Sequence, residues 1–188
     1  MSKQVWKPGN MLYPVPAVMV TVGDGKQKDN IITIAWTGTI NSDPPMVSIS
    51  VRKSRYSHEL LMANGEFAIN LVTRELTYAM DYCGVKTGRD MDKFEAVNVT
   101  RGKASRINVP IIEESPLCIE CKVDKIIELG SHDMFIANVV AVLADERYMD
   151  NKGKFDLNKA GLISYSHGEY YTLGSRIGKF GYSVKKKK

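Results

Sequence analysis

The sequence predicts a mainly β fold, an antiparallel barrel with helices at its periphery. Three observations carry that prediction. Short runs rich in β-branched residues recur along the chain, separated by turn chemistry. Only two brief stretches carry helix start and stop signals. Strands and helices do not alternate in the long units that a doubly wound parallel sheet requires. With 188 residues, 44% of them hydrophobic, there is enough material for one domain, 1–188, with a sizeable core.

The elements follow in order. Residues 1–10 are expected to be an arm, and Pro8, Gly9 and Pro14 break the first fourteen residues. Residues 17–22 form a β-branched run that ends in a hairpin-type turn at Gly23-Asp24-Gly25. Residues 30–40 read as the next strand, with Ile and Thr dominating its first half. Turn chemistry fills Asn41-Ser42-Asp43-Pro44-Pro45. Residues 46–51 then alternate apolar side chains with Ser, the period-2 mark of a half-buried strand. Ser54 or Ser57 is expected to cap a short helix that Gly65 closes after Asn64. Residues 66–71 read as a strand with in–out alternation. Thr73 is placed as the cap of a second helix, with Glu75 in its first turn and Cys83-Gly84 at its end. Residues 84–115 are mixed and polar, with basic and acidic residues clustered at 86–94. Two long strands, 116–127 and 134–143, should pair antiparallel across Gly130-Ser131. Short strand-like pieces and Gly174, Gly178 and Gly181 occupy the last forty residues. There is no linker and no internal repeat.

The formal charge of +5 is misleading, because residues 185–188 are all lysine. Without them 22 basic residues face 21 acidic ones, leaving a body near +1. The lysine tail reads as a solvated terminus, and no nucleic-acid partner is expected from it. Three cysteines follow no disulfide spacing. No signal-peptide pattern is visible, and apolar stretches fall far short of the ~20 residues a membrane helix needs. A soluble, cytoplasmic protein with reduced thiols and no membrane contact is expected.

Several candidate chemistries fail on spacing. Cys118 and Cys121 have the letters of a redox pair but lie on an alternating strand. There i and i+3 face opposite sides roughly 10 Å apart. His58, His132 and His167 have no metal-ligand spacing, so no metal is expected. Nucleophile elbows, P-loops and dinucleotide fingerprints are all missing. The last glycines follow no βαβ unit.

Residues 31–61 are different. A strand bearing Trp36, Thr37, Gly38 and Thr39 passes through a tight Asp-Pro-Pro turn into a return strand. That strand empties into Arg52-Lys53-Ser54-Arg55-Tyr56-Ser57, where a helix should begin. Cations, hydroxyls and free N–H groups at a helix start suit a dianionic phosphate. An aromatic residue beside a glycine suits a flat ligand. Together they describe a nucleotide-like cofactor, and FMN fits that description first. Lys86 and Lys93 can add charge from another loop, although Lys86 reads more readily as solvated. Cys83 reads as a small buried hydrophobe, and His132 as a turn residue or a neighbour of bound substrate.

Tyr13-Pro14-Val15-Pro16, Asn30, Ala35-Trp36-Thr37-Gly38, Asp43-Pro44-Pro45, Ser54-Arg55-Tyr56-Ser57, Phe67-Ala68-Ile69-Asn70-Leu71, Cys83-Gly84, Asp92-Lys93-Phe94, Glu120-Cys121 and Gly130-Ser131-His132 occur in one order. In that order they resemble the flavin reductase-like proteins, above all the flavoredoxins and their archaeal FMN-binding relatives. The resemblance spans roughly residues 10–182 and is most specific from Trp36 to Tyr56. It implies a split β-barrel of the FMN-binding type and a homodimer with one FMN per subunit near the dimer interface. It also implies that Trp36, Thr37, Gly38 and Thr39 face the isoalloxazine. Ser50, Val51 and Arg52, with Ser54, Tyr56 and Ser57, would hold the phosphate end. Lys93 and Phe94 would lie near the cofactor, Asn30 and Cys83 belong to the matching motifs, and His132 would sit on the nicotinamide side. The expected function is electron or hydride transfer from NAD(P)H or a protein donor, through FMN, to free flavin, ferric chelate or a partner protein. An FMN carrier without NAD(P)H activity and a non-catalytic binding protein are the alternatives. The cofactor would carry the chemistry, so no catalytic acid–base residue is expected.

Overall fold

A computed structural model describes residues 1–26 and 28–184. The lysines at 185–188 lie outside the described residues. Eleven strands occur there: β1 (Val18–Gly23), β2 (Asp29–Ile34), β3 (Thr37–Ser42), β4 (Pro45–Arg52), β5 (Glu66–Asn70), β6 (Arg101–Gly102), β7 (Ile111–Ile112), β8 (Leu117–Glu128), β9 (His132–Ala144), β10 (Ile163–Ser166) and β11 (Glu169–Thr172). Seven of them form one antiparallel sheet in the order β2-β1-β5-β8-β9-β4-β3. Three α-helices lie outside it: α1 (Tyr56–Asn64), α2 (Thr77–Val85) and the one-turn α3 (Lys93–Ala96).

The two halves of the run from 29 to 42 serve opposite edges of this sheet. Ile34 pairs with Val18 of β1, whereas Thr37 pairs with Ile49 of β4. Between them Ala35 and Trp36 bend, and the Trp36 carbonyl accepts the Ser50 N–H at 2.9 Å. The expected single strand 30–40 is therefore two strands joined at a corner. No local signal marks that corner, because the change of partner decides it. Curling the sheet this way lets Ile32 and Ile34 share one core with Val47, Ile49, Val51, Phe67 and Phe135. The result is a split β-barrel.

Alternation decides which core each side chain enters. Val18, Val20 and Val22 point into the barrel, while Met19 enters a second core beneath α2 and α3 with Ile31, Met80, Cys83 and Phe94. Both faces of β1 are thus covered. The same holds for β5, where all five residues are buried, so the expected in–out alternation of 66–71 has no exposed face.

The long pair appears as expected, with Leu117 opposite Ala144 and Glu128 opposite Asp133. Helix boundaries depart from expectation. Thr73 does not cap α2, which begins four residues later. It bridges Leu162, and its carbonyl takes the Leu76 N–H at 3.1 Å. Neither Ser54 nor Ser57 caps α1, whose N-cap is Arg55 with no side-chain bond. Gly65 does close that helix, at φ 68°. The helix α3, unforeseen within 84–115, is capped by Asp92, which accepts from Phe94 N at 2.9 Å and Glu95 N at 3.3 Å. Cys118 and Cys121 are buried free thiols in different cores. No helix among the described residues is long and apolar enough to cross a membrane.

Candidate functional site

A cavity of about 500 Å³ opens where β2, the end of β4, the start of α1 and the segment 83–93 meet. Its lining includes Asn30, Arg52, Ser54, Arg55, Tyr56, Ser57, Cys83, Lys86, Thr87, Gly88 and Lys93. Four lining residues are cationic and none is acidic. Among the described residues Arg52, Arg55 and Lys86 form no ion pair, so their charge is left for a ligand.

The start of α1 is built to receive an anion. Its first-turn amides have no side-chain acceptor. Ser57 is buried, and its Oγ accepts from Asn30 Nδ2 at 2.9 Å, which leaves the Ser57 hydroxyl hydrogen free to donate elsewhere. Gly88 presses against Asn30 so closely that a Cβ there would lie 2.0 Å from Asn30 Oδ1. Only glycine allows that approach. Arg89 pairs with Glu59 and lies 5.0 Å over the Tyr56 ring, holding the aromatic wall from outside.

Lys93 is 4% exposed and has no carboxylate partner. Its ammonium donates to the carbonyls of Ile31 at 2.7 Å and Cys83 at 2.8 Å. Burial, reinforced by the charge of Arg55, brings its pKa down to about 8. Burial also pushes the Cys83 thiol up to about 11, which makes it a poor nucleophile.

The structure brings together Asn30, Arg52, Ser54, Tyr56, Ser57, Cys83 and Lys93 and leaves the other expected residues elsewhere. Phe94 is buried in the second core, with Arg101 stacked 4.2 Å over its ring. The Val51 side chain lies in the barrel core. Both are structural, because strand and helix periodicity turns them away from the cavity. Trp36, Thr37, Gly38 and Thr39 do not line it either. Trp36 sits in the bend before β3 and the other three on β3, alongside the part of β4 that begins at Ser50, whose N–H reaches the Trp36 carbonyl about 7 Å along the strand from Arg52 at ~3.3 Å per residue. His132 lies opposite Arg52 in the β4–β9 register, bonded to Ser131 Oγ at 2.9 Å. Burial, then the Arg52 charge, lowers its pKa.

Sequence reasoning missed Thr87 and Gly88, named Arg55 only within the basic run and not as a site residue of its own, and allowed Lys86 a part while reading it more readily as solvated. Arg55 was visible within the basic run, but the 86–88 wall has no local signature. A second unforeseen network ties α1 to β9: His58 Nε2 meets Asp133 Oδ2 at 2.7 Å, and Lys53 Nζ lies 3.4 Å from the other carboxylate oxygen.

Known proteins place this geometry in context. The flavin reductase like domain matches residues 10–174. A solved flavoredoxin of Desulfovibrio vulgaris (Miyazaki F) superposes with a TM-score of 0.90 at 29% identity, covering 98% of this chain and 100% of that one. The flavoredoxin from Methanosarcina acetivorans gives 0.85 at 27% identity, with the same coverage. A probable flavin reductase of Rhizobium meliloti (strain 1021) is 29% identical over 160 residues, 85% of this chain and 45% of its own length.

Proposed function

The chain belongs to the flavin reductase-like family, and on that premise we propose that it holds FMN with the phosphate in the cavity at the start of α1. The carrying observation is the lining itself: four cations, no carboxylate, and an uncapped helix start. A monophosphate fits this set, because it accepts several donors at once and offsets the clustered positive charge.

Each residue then has a task. Arg52, Arg55 and Lys86 neutralise the phosphate, and Ser54, Ser57 and the first amides of α1 donate hydrogen bonds to it. Asn30 holds the Ser57 hydroxyl with its hydrogen directed away. Gly88 lets the far wall close in, and Tyr56 with Arg89 walls off solvent. From Arg52 the β4 backbone runs back to Ser50, whose N–H meets the carbonyl of the neighbouring Trp36, and the two would offer a platform for a flat ring at the other end. When bound, the flavin supplies hydride and single-electron transfer. The protein binds, orients and screens, and needs no acid–base pair of its own.

Donor and acceptor would both meet the flavin ring. NAD(P)H or a protein donor would reduce it, with free flavin, ferric chelate or a partner protein as acceptor. The flavoredoxin likeness over the whole chain favours a carrier as the second reading.

The test is direct. Purified protein should show, or take up, yellow cofactor in a titration, and should prefer FMN to riboflavin. Failure to take up either flavin would end the proposal. Anaerobic addition of NADH and NADPH then separates the readings: bleaching with turnover marks a reductase, and bound FMN without turnover marks a carrier.

A further inference from the structure

Asp133 stands where the strand pattern calls for an apolar residue. It lies opposite Val51 in the β4–β9 register, so the two side chains share one face of the sheet. That face is the barrel interior, which Val51 enters together with Phe135 and Ala137, two and four positions further along β9. Asp133 is 4% exposed. Its Oδ2 meets His58 Nε2 at 2.7 Å, while Oδ1 is buried and, among the described residues, accepts no hydrogen bond. Lys53 Nζ lies 3.4 Å from that Oδ1 and reaches Glu128 at 2.6 Å on the surface. The His58 ring packs edge-on against Phe135, with 5.6 Å between centroids.

A carboxylate kept in such a place costs desolvation that an apolar residue of similar volume avoids. Stability therefore does not account for it, but what the carboxylate holds in place does. The β4–β9 ladder ends at Arg52 and His132, and beyond Arg52 the chain leaves the sheet. Its backbone bonds from there to His58 are local: Arg55 N to the Arg52 carbonyl at 3.0 Å, and His58 N to the Arg55 carbonyl at 2.9 Å. This turn carries Arg52, Ser54, Arg55, Tyr56 and Ser57 to the cavity. From β9, Asp133 reaches it near both ends, through Lys53 at its start and His58 at its close.

We propose that Asp133 is a positioning residue for the phosphate site: with His58 and Lys53 it fixes the 52–57 turn so that the donors there converge on one anion. The inference rests on the phosphate reading of the cavity. Charge and position make opposite demands here. A carboxylate near an anion site repels the anion, so by Coulomb interaction alone its neutralisation would tighten phosphate binding. Where the carboxylate holds the donors in register, its neutralisation loosens that binding instead.

Asp133→Asn should therefore bind FMN about tenfold more weakly, with riboflavin altered less than about twofold, in parallel fluorescence titrations. His58→Gln keeps an N–H that can reach the carboxylate and should stay near wild type, whereas His58→Ala should match Asp133→Asn. Combining Asp133→Asn with His58→Ala should add little to either change alone, because both break one contact. In the flavin-free protein, amide exchange of residues 53–58 should speed up in Asp133→Asn while β1 and β5 keep their protection. Unchanged or tighter FMN binding in Asp133→Asn would overturn the proposal. So would equal losses for both flavins, or exchange that rises across β1 and β5 as well. A wild type that binds FMN no better than riboflavin would end the phosphate reading and this inference with it. Wild-type preference for FMN, retained in Asp133→Asn, would end this inference alone.

Discussion

Replacing Lys93 by Met probes the electrostatics of the cavity at its deepest point. The ammonium is buried, holds two carbonyls and has no carboxylate in reach. Its pKa falls to about 8 from an ordinary 10.5. Below pH 8 both folded and unfolded chains carry the proton, and folding bears the whole cost of burying the charge. Between pH 8 and 10.5 the unfolded chain holds a proton that the folded chain has released, so stability rises with pH. Above 10.5 neither form holds it and the rise is complete. At 1.36 kcal/mol per pKa unit the gain is about 3 kcal/mol.

Urea unfolding of wild type and Lys93→Met across this window isolates the effect, because groups common to both proteins largely cancel. The difference between them should shift by about 3 kcal/mol in favour of wild type from pH 8 to 10.5. At pH 7 the variant is relieved of the buried charge but leaves the Ile31 and Cys83 carbonyls short of a donor, each costing about 1–3 kcal/mol. A pH-independent difference would refute the reasoning. A bound phosphate dianion would raise the Lys93 pKa. Wild-type FMN affinity should therefore fall as pH rises through about 8, and the variant should lack that dependence.

Arg52→Ala should weaken FMN by about 1.5 kcal/mol, roughly twelvefold, the low end for a charge-assisted bond because Arg52 is exposed. Riboflavin should be much less affected in parallel fluorescence titrations, and equal losses would mean Arg52 does not meet the phosphate. Gly88→Ala drives a Cβ into Asn30, so calorimetric titration should show FMN binding weakened about tenfold. Unaltered binding would show that Asn30 does not set the Ser57 hydroxyl. Glu120, fully buried, accepts Ser105 N at 2.7 Å and Arg106 N at 2.6 Å. Glu120→Leu should cost about 2–4 kcal/mol in urea unfolding, and an unmoved midpoint would sink that assignment.

Legibility followed sequence distance. The period-2 run of β4, the β8–β9 pair and the Gly65 stop are written in adjacent residues and appear where expected. Arg52, Ser54, Tyr56 and Ser57 meet at the cavity because they are neighbours in sequence across one strand end and one helix start. Val51 and Phe94 belong to motifs of the resemblance, but their side chains follow the local period into the cores. Thr73 has a capping residue's chemistry, yet its pairing with Leu162 moves the helix start downstream. The bend at Ala35–Trp36 arises because one run hydrogen-bonds to β1 and then to β4.

By itself the sequence determined where most of the long strands run, where the chain turns between them, and that a cationic helix start follows a glycine-bearing aromatic strand. These depend on side-chain shape and short-range hydrogen bonding, which act over a few residues. Closure of the sheet decided the rest: it set Asn30 against Ser57 across 27 positions and Lys93 against Ile31 across 62. A buried ammonium with a depressed pKa can exist only once distant backbone has displaced water around it, and no local pattern encodes that exclusion.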